Sequence, residues 1–312
     1  MPHALHMPSH IYTRLGSWQE SIRSNGASAE AARAHAARHH PGATSFEELH
    51  ALDYLVYAHL QRGDDAEARL LVEHASKVER TFPESDFAAA YALGAIPARY
   101  AAERHAWKEA AALPPAGHPM MESFPYDAAH IEFVRALGQL RTGDAQGAGG
   151  TLRRLAELRE KTTDPRAAYF GQQLDIQSRA IEALLELAEG RTEQALASLR
   201  VAADQEDALG KSPVSPGSIY PVRELLGRAL LDSGRPADAL AAFRRSIELN
   251  PGRFNALDGA ARAAAAAGLG DEARAHYSRL LEVAAPGASS RPALAEARAY
   301  LAKTERSSPG GS

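Results

Sequence analysis

One stretch of the chain constrains its fold more than any other. Residues 223–251 read RELLGRALLDSGRPADALAAFRRSIELNP, in which Leu226, Gly227, Leu230, Gly234, Ala239, Phe243 and Pro251 mark a helix, a glycine turn, a second helix and a proline stop. Shifting the frame by 34 residues finds Ala260, Ala261, Ala264, Gly268, Ala273 and Tyr277 in the same places. A small residue lets two helix backbones approach, an aromatic on the second helix fills the groove beside it, and glycine closes the first helix without a Cβ penalty. With the turn glycine as a ruler, weaker copies follow Gly16 (Trp18, Ile22, Ser28), Gly63 (Ala68, Val72, Ala75), Gly143 (Ala148, Leu152, Leu155) and Gly190 (Ala195, Leu199, Ala202). Successive glycines from Gly16 to Gly268 are 47, 80, 47, 44 and 34 residues apart. The gap of 80 predicts a further helix pair at about 85–112, with Pro97 near its internal break and Pro114-Pro115 ending it. Six or seven helix pairs result. A strand reading fails almost everywhere, because the segments are rich in Ala, Leu, Glu and Arg with apolar recurrence at three and four.

Composition narrows the function classes. A formal charge of −4 gives no basic field for nucleic acid, and no apolar run approaches a membrane span, so neither partner is expected. The absence of cysteine removes disulfides, thiolate metal sites and cysteine nucleophiles, fits a reducing, cytoplasmic setting, and leaves any chemistry to His, Asp and Glu. There is no G-x-S-x-G elbow, Walker A loop or dinucleotide glycine motif. Segments 39–45, 113–123, 162–165, 210–218 and 286–292 hold the Pro, Gly and Ser clusters of loops.

The period and its residue pattern resemble the tetratricopeptide repeat. That resemblance implies an all-α, right-handed superhelical solenoid over 1–284, clearest at 220–284, stabilised by neighbour-to-neighbour burial. A capping helix over 285–306 and a disordered tail over 307–312 complete the expected organisation. In such repeats the second, fifth and ninth places of each first helix point into the concave surface. Counting back from the turn glycines puts there His3, His6 and His10; His50, Asp53 and Tyr57; and His130, Phe133 and Leu137. Tyr220, Glu224 and the inward-leaning Arg14 join them, as do Arg141, Arg228 and Tyr54.

Histidine is unevenly placed: twelve of thirteen lie between His3 and His130. His35, His39, His40, His74 and His105 read as polar residues of outer helices or loops, His118 as a loop residue and His59 as a packed one. His3, His6 and His10 are spaced three and four apart on one helical face, so they could offer imidazoles to one ion, with His50 or Asp53 from the next first helix. Pro8 would interrupt that face unless a helix restarts beside it. No HExxH motif accompanies them.

PHALHMPSHIYTRLGSWQESIRSN, HALDYLVYAHLQRGDDAEA and the C-terminal repeats also resemble a family of uncharacterised bacterial tetratricopeptide proteins. Its members carry sequence ahead of the PHALHMPSH stretch, which implies a truncated start here and an apolar face left exposed on the first helix. No activity comes with that resemblance. The leading expectation is a cytoplasmic scaffold binding a peptide or partner protein in a groove formed by His6, His10, Arg14, His50, Asp53, Tyr57, His130, Tyr220 and Glu224, with no cofactor. The alternative is a metal-binding protein or metal-dependent enzyme holding Zn, Fe or Cu through His3, His6, His10, His50 and Asp53. In a third reading the imidazoles make partner binding pH-sensitive.

Overall fold

In the computed structural model, residues 1–212, 214–287 and 291–307 are described. Residues 308–312 of the tail expected over 307–312, residues 288–290 of the last loop and residue 213 lie outside them, while Ser307 ends the last helix. The turn glycines locate the helix ends: Gly16, Gly63, Gly143, Gly190, Gly234 and Gly268 all have positive φ, between 66° and 86°. Each follows a first helix by one or two residues, where an L-residue would be strained.

Among the described residues, seven helix pairs follow one another. The first has a divided first helix, α1 (Pro2–His6) and α2 (Ser9–Leu15), before α3 (Trp18–His39). Pro8 forms the N-cap of α2 and its carbonyl accepts from Ile11 and Tyr12, so the helix restarts at the proline. The later pairs are α4 (Phe46–Gln61) with α5 (Asp65–Ala75), α6 (Phe87–Glu103) with α7 (Trp107–Ala111), and α8 (Pro125–Arg141) with α9 (Ala145–Lys161). They continue with α10 (Ala168–Ala188) and α11 (Thr192–Leu209), α12 (Val222–Asp232) and α13 (Pro236–Leu249), and α14 (Phe254–Ala266) and α15 (Gly270–Val283). A last helix, α16 (Pro292–Ser307), packs on α15. Two dipeptide strands, Thr44–Ser45 and Thr81–Phe82, pair in parallel beside α3 and α4.

The third pair corrects the sequence reading of Pro97. The proline lies inside α6, and the turn comes eight residues later at His105, which takes φ 53°, where the other turns use glycine. His105 is also not a surface residue: its ring stacks on Trp107 at 5.1 Å and its Nε2 bonds the Tyr220 hydroxyl at 2.8 Å. Between repeats the small-residue rule holds. A Cβ at Gly227 or Gly259 would lie 2.8 or 2.3 Å from the Phe243 ring, so that ring occupies the space both glycines leave between α12 and α14.

Neighbour packing does not account for the whole fold, because the two ends of the array meet. Trp18 Nε1 donates to the Gly252 carbonyl at 2.8 Å, and Gln61 Oε1 accepts from the Phe254 amide at 3.0 Å. Ala285 donates to the Arg62 carbonyl at 2.9 Å, and Arg291 pairs with Asp65. Gly16 touches Pro251 so closely that a Cβ there would lie 2.3 Å from its carbonyl oxygen. The accessible surface, 13928 Å², is within about a tenth of that expected for a globular monomer of this mass.

Candidate functional site

End-to-end contact fills the centre of the array with charge. Arg99 of α6 and Arg253, just before α14, are both fully buried and both lie over the Tyr57 ring, at 5.2 and 5.7 Å. Arg99 donates to Asp53 Oδ1 at 2.9 Å, the Tyr91 hydroxyl at 3.1 Å and the carbonyls of Gly217 and Ser218 at 2.7 Å. Arg253 donates to Glu224 at 2.6 and 3.1 Å, Glu103 at 2.8 Å and the Tyr57 hydroxyl at 2.8 Å. Asn255 and Ser246 complete the bonding of Glu103 and Glu224. A partner peptide therefore has no access to Asp53, Tyr57, Tyr220 or Glu224, which correspond to expected groove residues and are all buried. Their polar atoms bind other repeats of the same chain, a role that spacing within one repeat does not reveal.

His130 is likewise internal. Its ring sits edge-on to Tyr91 at 4.7 Å, and its Nε2 is 3.8 Å from Asp127 Oδ1. Neither group makes a side-chain hydrogen bond among the described residues. Burial pushes the Asp127 carboxyl well above the usual carboxylate range and, with help from Arg99, the His130 imidazole down to about 3. The repeat position shared by His3, His50 and His130 does not bring those three histidines together.

His6, His10 and His50 do meet. One ring nitrogen from each lies within 4.8 Å of the others. The His6 and His50 rings are 4.3 Å apart and those of His6 and His10 are 4.7 Å apart. The hydrogen bonds around them assign tautomers. Asn25 Nδ2 donates to the Ser21 carbonyl at 2.8 Å, which turns its Oδ1 toward His6, whose Nδ1–H donates to it at 2.7 Å. The Tyr54 hydroxyl donates to the Ser215 carbonyl at 3.1 Å and thus accepts from His10 Nδ1–H, also at 3.1 Å. Both Nδ1 atoms being donors, the Nε2 lone pairs of His6 and His10 face each other across 3.0 Å.

All three imidazoles are held neutral. Burial, then the neighbouring imidazoles and Lys211, depress His10 to about 4 and His50 to about 3; burial dominates for His6 as well, lowering it against the opposing bond from Asn25. Lys211 donates to the Ser215 carbonyl at 2.8 Å and lies 5.9 Å from the Tyr54 ring centre. Together with Arg14 it borders an adjoining recess of about 120 Å³. Two expected ligands are not part of the cluster. Asp53 is bound to Arg99, and His3 stands exposed at the rim, 6.1 Å ring to ring from His6. Sequence spacing missed the supporting residues Asn25 and Lys211; Tyr54, four places after His50, was expected to face the groove but not to support His10.

The outer side of the same helices is apolar and bare. Met1, Leu5, Met7, Ile11 and Leu15 are half of the exposed large hydrophobic residues among those described, and Met7, Ile11 and Leu15 fall at four-residue steps along one face.

Residues 230–291 match the tetratricopeptide repeat family. That segment carries tetratricopeptide repeats. Its fold is similar to that of a tetratricopeptide repeat protein from Parabacteroides merdae, at 12% identity and a TM-score of 0.43, covering 96% of this chain and 98% of that one. It is also similar to yeast Tom70, at 13% identity and a TM-score of 0.43, covering 99% of this chain and 66% of that one. No curated protein matches the sequence. The matched tetratricopeptide segment runs from the sixth pair through the seventh, where the 34-residue period is regular.

Proposed function

We propose that this tetratricopeptide chain is an interaction scaffold that binds a partner protein on the outer face of α1 and α2, not in its sealed centre. The observation that carries this reading is the exposed stripe Leu5, Met7, Ile11 and Leu15. Here the flank away from α3 is apolar, which marks an interaction surface.

Charge specifies the partner further. Residues 1–19 contain no Asp or Glu, whereas Arg14 is exposed beside Ile11 and Leu15. A second copy of this face would meet it with like charge, so the occupant is an amphipathic helix with acidic residues flanking its apolar ridge. The test uses two synthetic helical peptides with the same leucine ridge, one flanked by Glu and one by Lys, read by fluorescence anisotropy. The Glu peptide binds, more weakly as salt rises, and Ile11→Asp with Leu15→Asp abolishes the binding. Failure of both peptides to bind, or equal binding to the double variant, overturns the proposal.

A further inference from the structure

We propose that His6, His10 and His50 form a three-imidazole site for a divalent transition ion, Zn²⁺ by its ligand type, that ties α1 and α2 to α4 and leaves a fourth coordination position open. The site lies on the inner side of the first helices, away from the apolar stripe, so this inference stands apart from the partner-binding reading.

Geometry is the first argument. Two nitrogens on a tetrahedral zinc at about 2.0–2.1 Å stand about 3.3 Å apart. The Nε2 atoms of His6 and His10, at 3.0 Å, are near that spacing with their lone pairs converging. Unshared lone pairs repel at this distance; an ion between the two nitrogens converts the repulsion into two bonds. The third nitrogen, from His50, comes within 4.8 Å and closes onto the ion with a movement of about 1.5 Å. That movement breaks no hydrogen bond, since none holds the His50 ring among the described residues.

The second argument is the surrounding shell. Metal-binding histidines commonly use their other ring nitrogen to donate to a fixed acceptor, which sets tautomer and ring orientation. His6 does this to Asn25, itself held by Ser21, and His10 does it to Tyr54, itself held by Ser215. Two independent chains of bonds thus present the same kind of nitrogen to one point, from positions four apart on one helical face. With three neutral ligands the ion keeps its full charge, and Lys211 adds to it, so the fourth position suits a water-derived hydroxide or another anionic oxygen. The set is of the open type used for bound water or substrate, whereas closed structural sites have four protein ligands.

The experiment uses full-length protein without a histidine tag, stripped by chelator, desalted and titrated with Zn²⁺ by calorimetry. Bound metal is counted by ICP-MS after gel filtration. His10→Ala and His50→Ala are the ligand variants, because neither side chain is as deeply buried as His6, and circular dichroism checks their fold. His35→Ala with His39→Ala controls for the exposed imidazoles of α3, whose rings lie 4.6 Å apart. Tyr54→Phe removes one supporting bond and keeps all three ligands.

The proposal expects one zinc per chain, retained in the His35/His39 variant, weakened about 10- to 100-fold in Tyr54→Phe and lost in folded His10→Ala and His50→Ala. Cobalt(II) in place of zinc gives the visible bands of a four-coordinate ion in wild type alone among these ligand comparisons. Absence of uptake by the wild type overturns it, as does zinc that survives both ligand variants or disappears with His35 and His39.

Discussion

Replacing Arg253 with methionine tests whether the ends of the array are locked together through its centre. The side chain is fully buried and spans four repeats: it lies just before α14 and bonds Tyr57 of α4, Glu103 of α6 and Glu224 of α12. Methionine fills much of the same volume but supplies no donor. Breaking a buried ion pair from one side costs about 3–5 kcal/mol, because the remaining charge is stranded away from water. Two carboxylates are stranded here, but Asn255 still bonds one and Ser246 the other, at 2.9 and 3.0 Å. The expected loss is therefore about 4 kcal/mol, a large share of the roughly 5–15 kcal/mol available to a folded domain. Urea unfolding followed by circular dichroism measures it. In a Trp107→Phe background, Trp18 fluorescence reports the closure directly through its bond to Gly252. Adding Glu103→Gln and Glu224→Gln should recover at least half the loss by removing the stranded charges. A loss below about 1 kcal/mol, or no recovery in the triple variant, refutes the reasoning.

Three further outcomes follow from single side chains. Burial lifts the Glu206 carboxyl to about 7 although it accepts from the Val222 amide. Its unfolded counterpart titrates near 4.5, so the folded state binds the extra proton between those values and stability falls as pH rises through them. Glu206→Gln removes this loss, and chemical unfolding from pH 4.5 to 8 should show the variant gaining about 3 kcal/mol on the wild type. Gly94→Ala places a Cβ 2.2 Å from the backbone oxygen of Asp127 and should lower stability by about 3 kcal/mol, since α6 and α8 would have to part. Gly26→Ala, in α3 with nothing within 4 Å, should raise stability by about 0.5–1 kcal/mol.

The helix pairs were legible because each repeat writes its own turn: six glycines predicted six helix ends. The third pair was placed but misread, since His105 occupies the turn position and Pro97 drew attention to the wrong residue. The closure was not legible. Arg99 and Arg253 occupy ordinary positions in their repeats, and Arg253 finds Tyr57 across 196 residues, a distance no local period encodes. For the same reason Asp53 read as a groove ligand when its partner was Arg99, 46 residues on. By contrast, His6 and His10 were readable as a pair from a four-residue step, and His50 as an inward residue of the next first helix, although its matching residue in the first repeat is His3, which stays at the rim.

Small-angle X-ray scattering of the monomer tests the central claim, that the ends meet and seal the concave side. A closed array of this length should have a radius of gyration near 20 Å, the value for a compact chain of about 312 residues. A value well above that, with the extended pair-distance tail of an open superhelix, would contradict the closure and return the central charged residues to a groove open to partners.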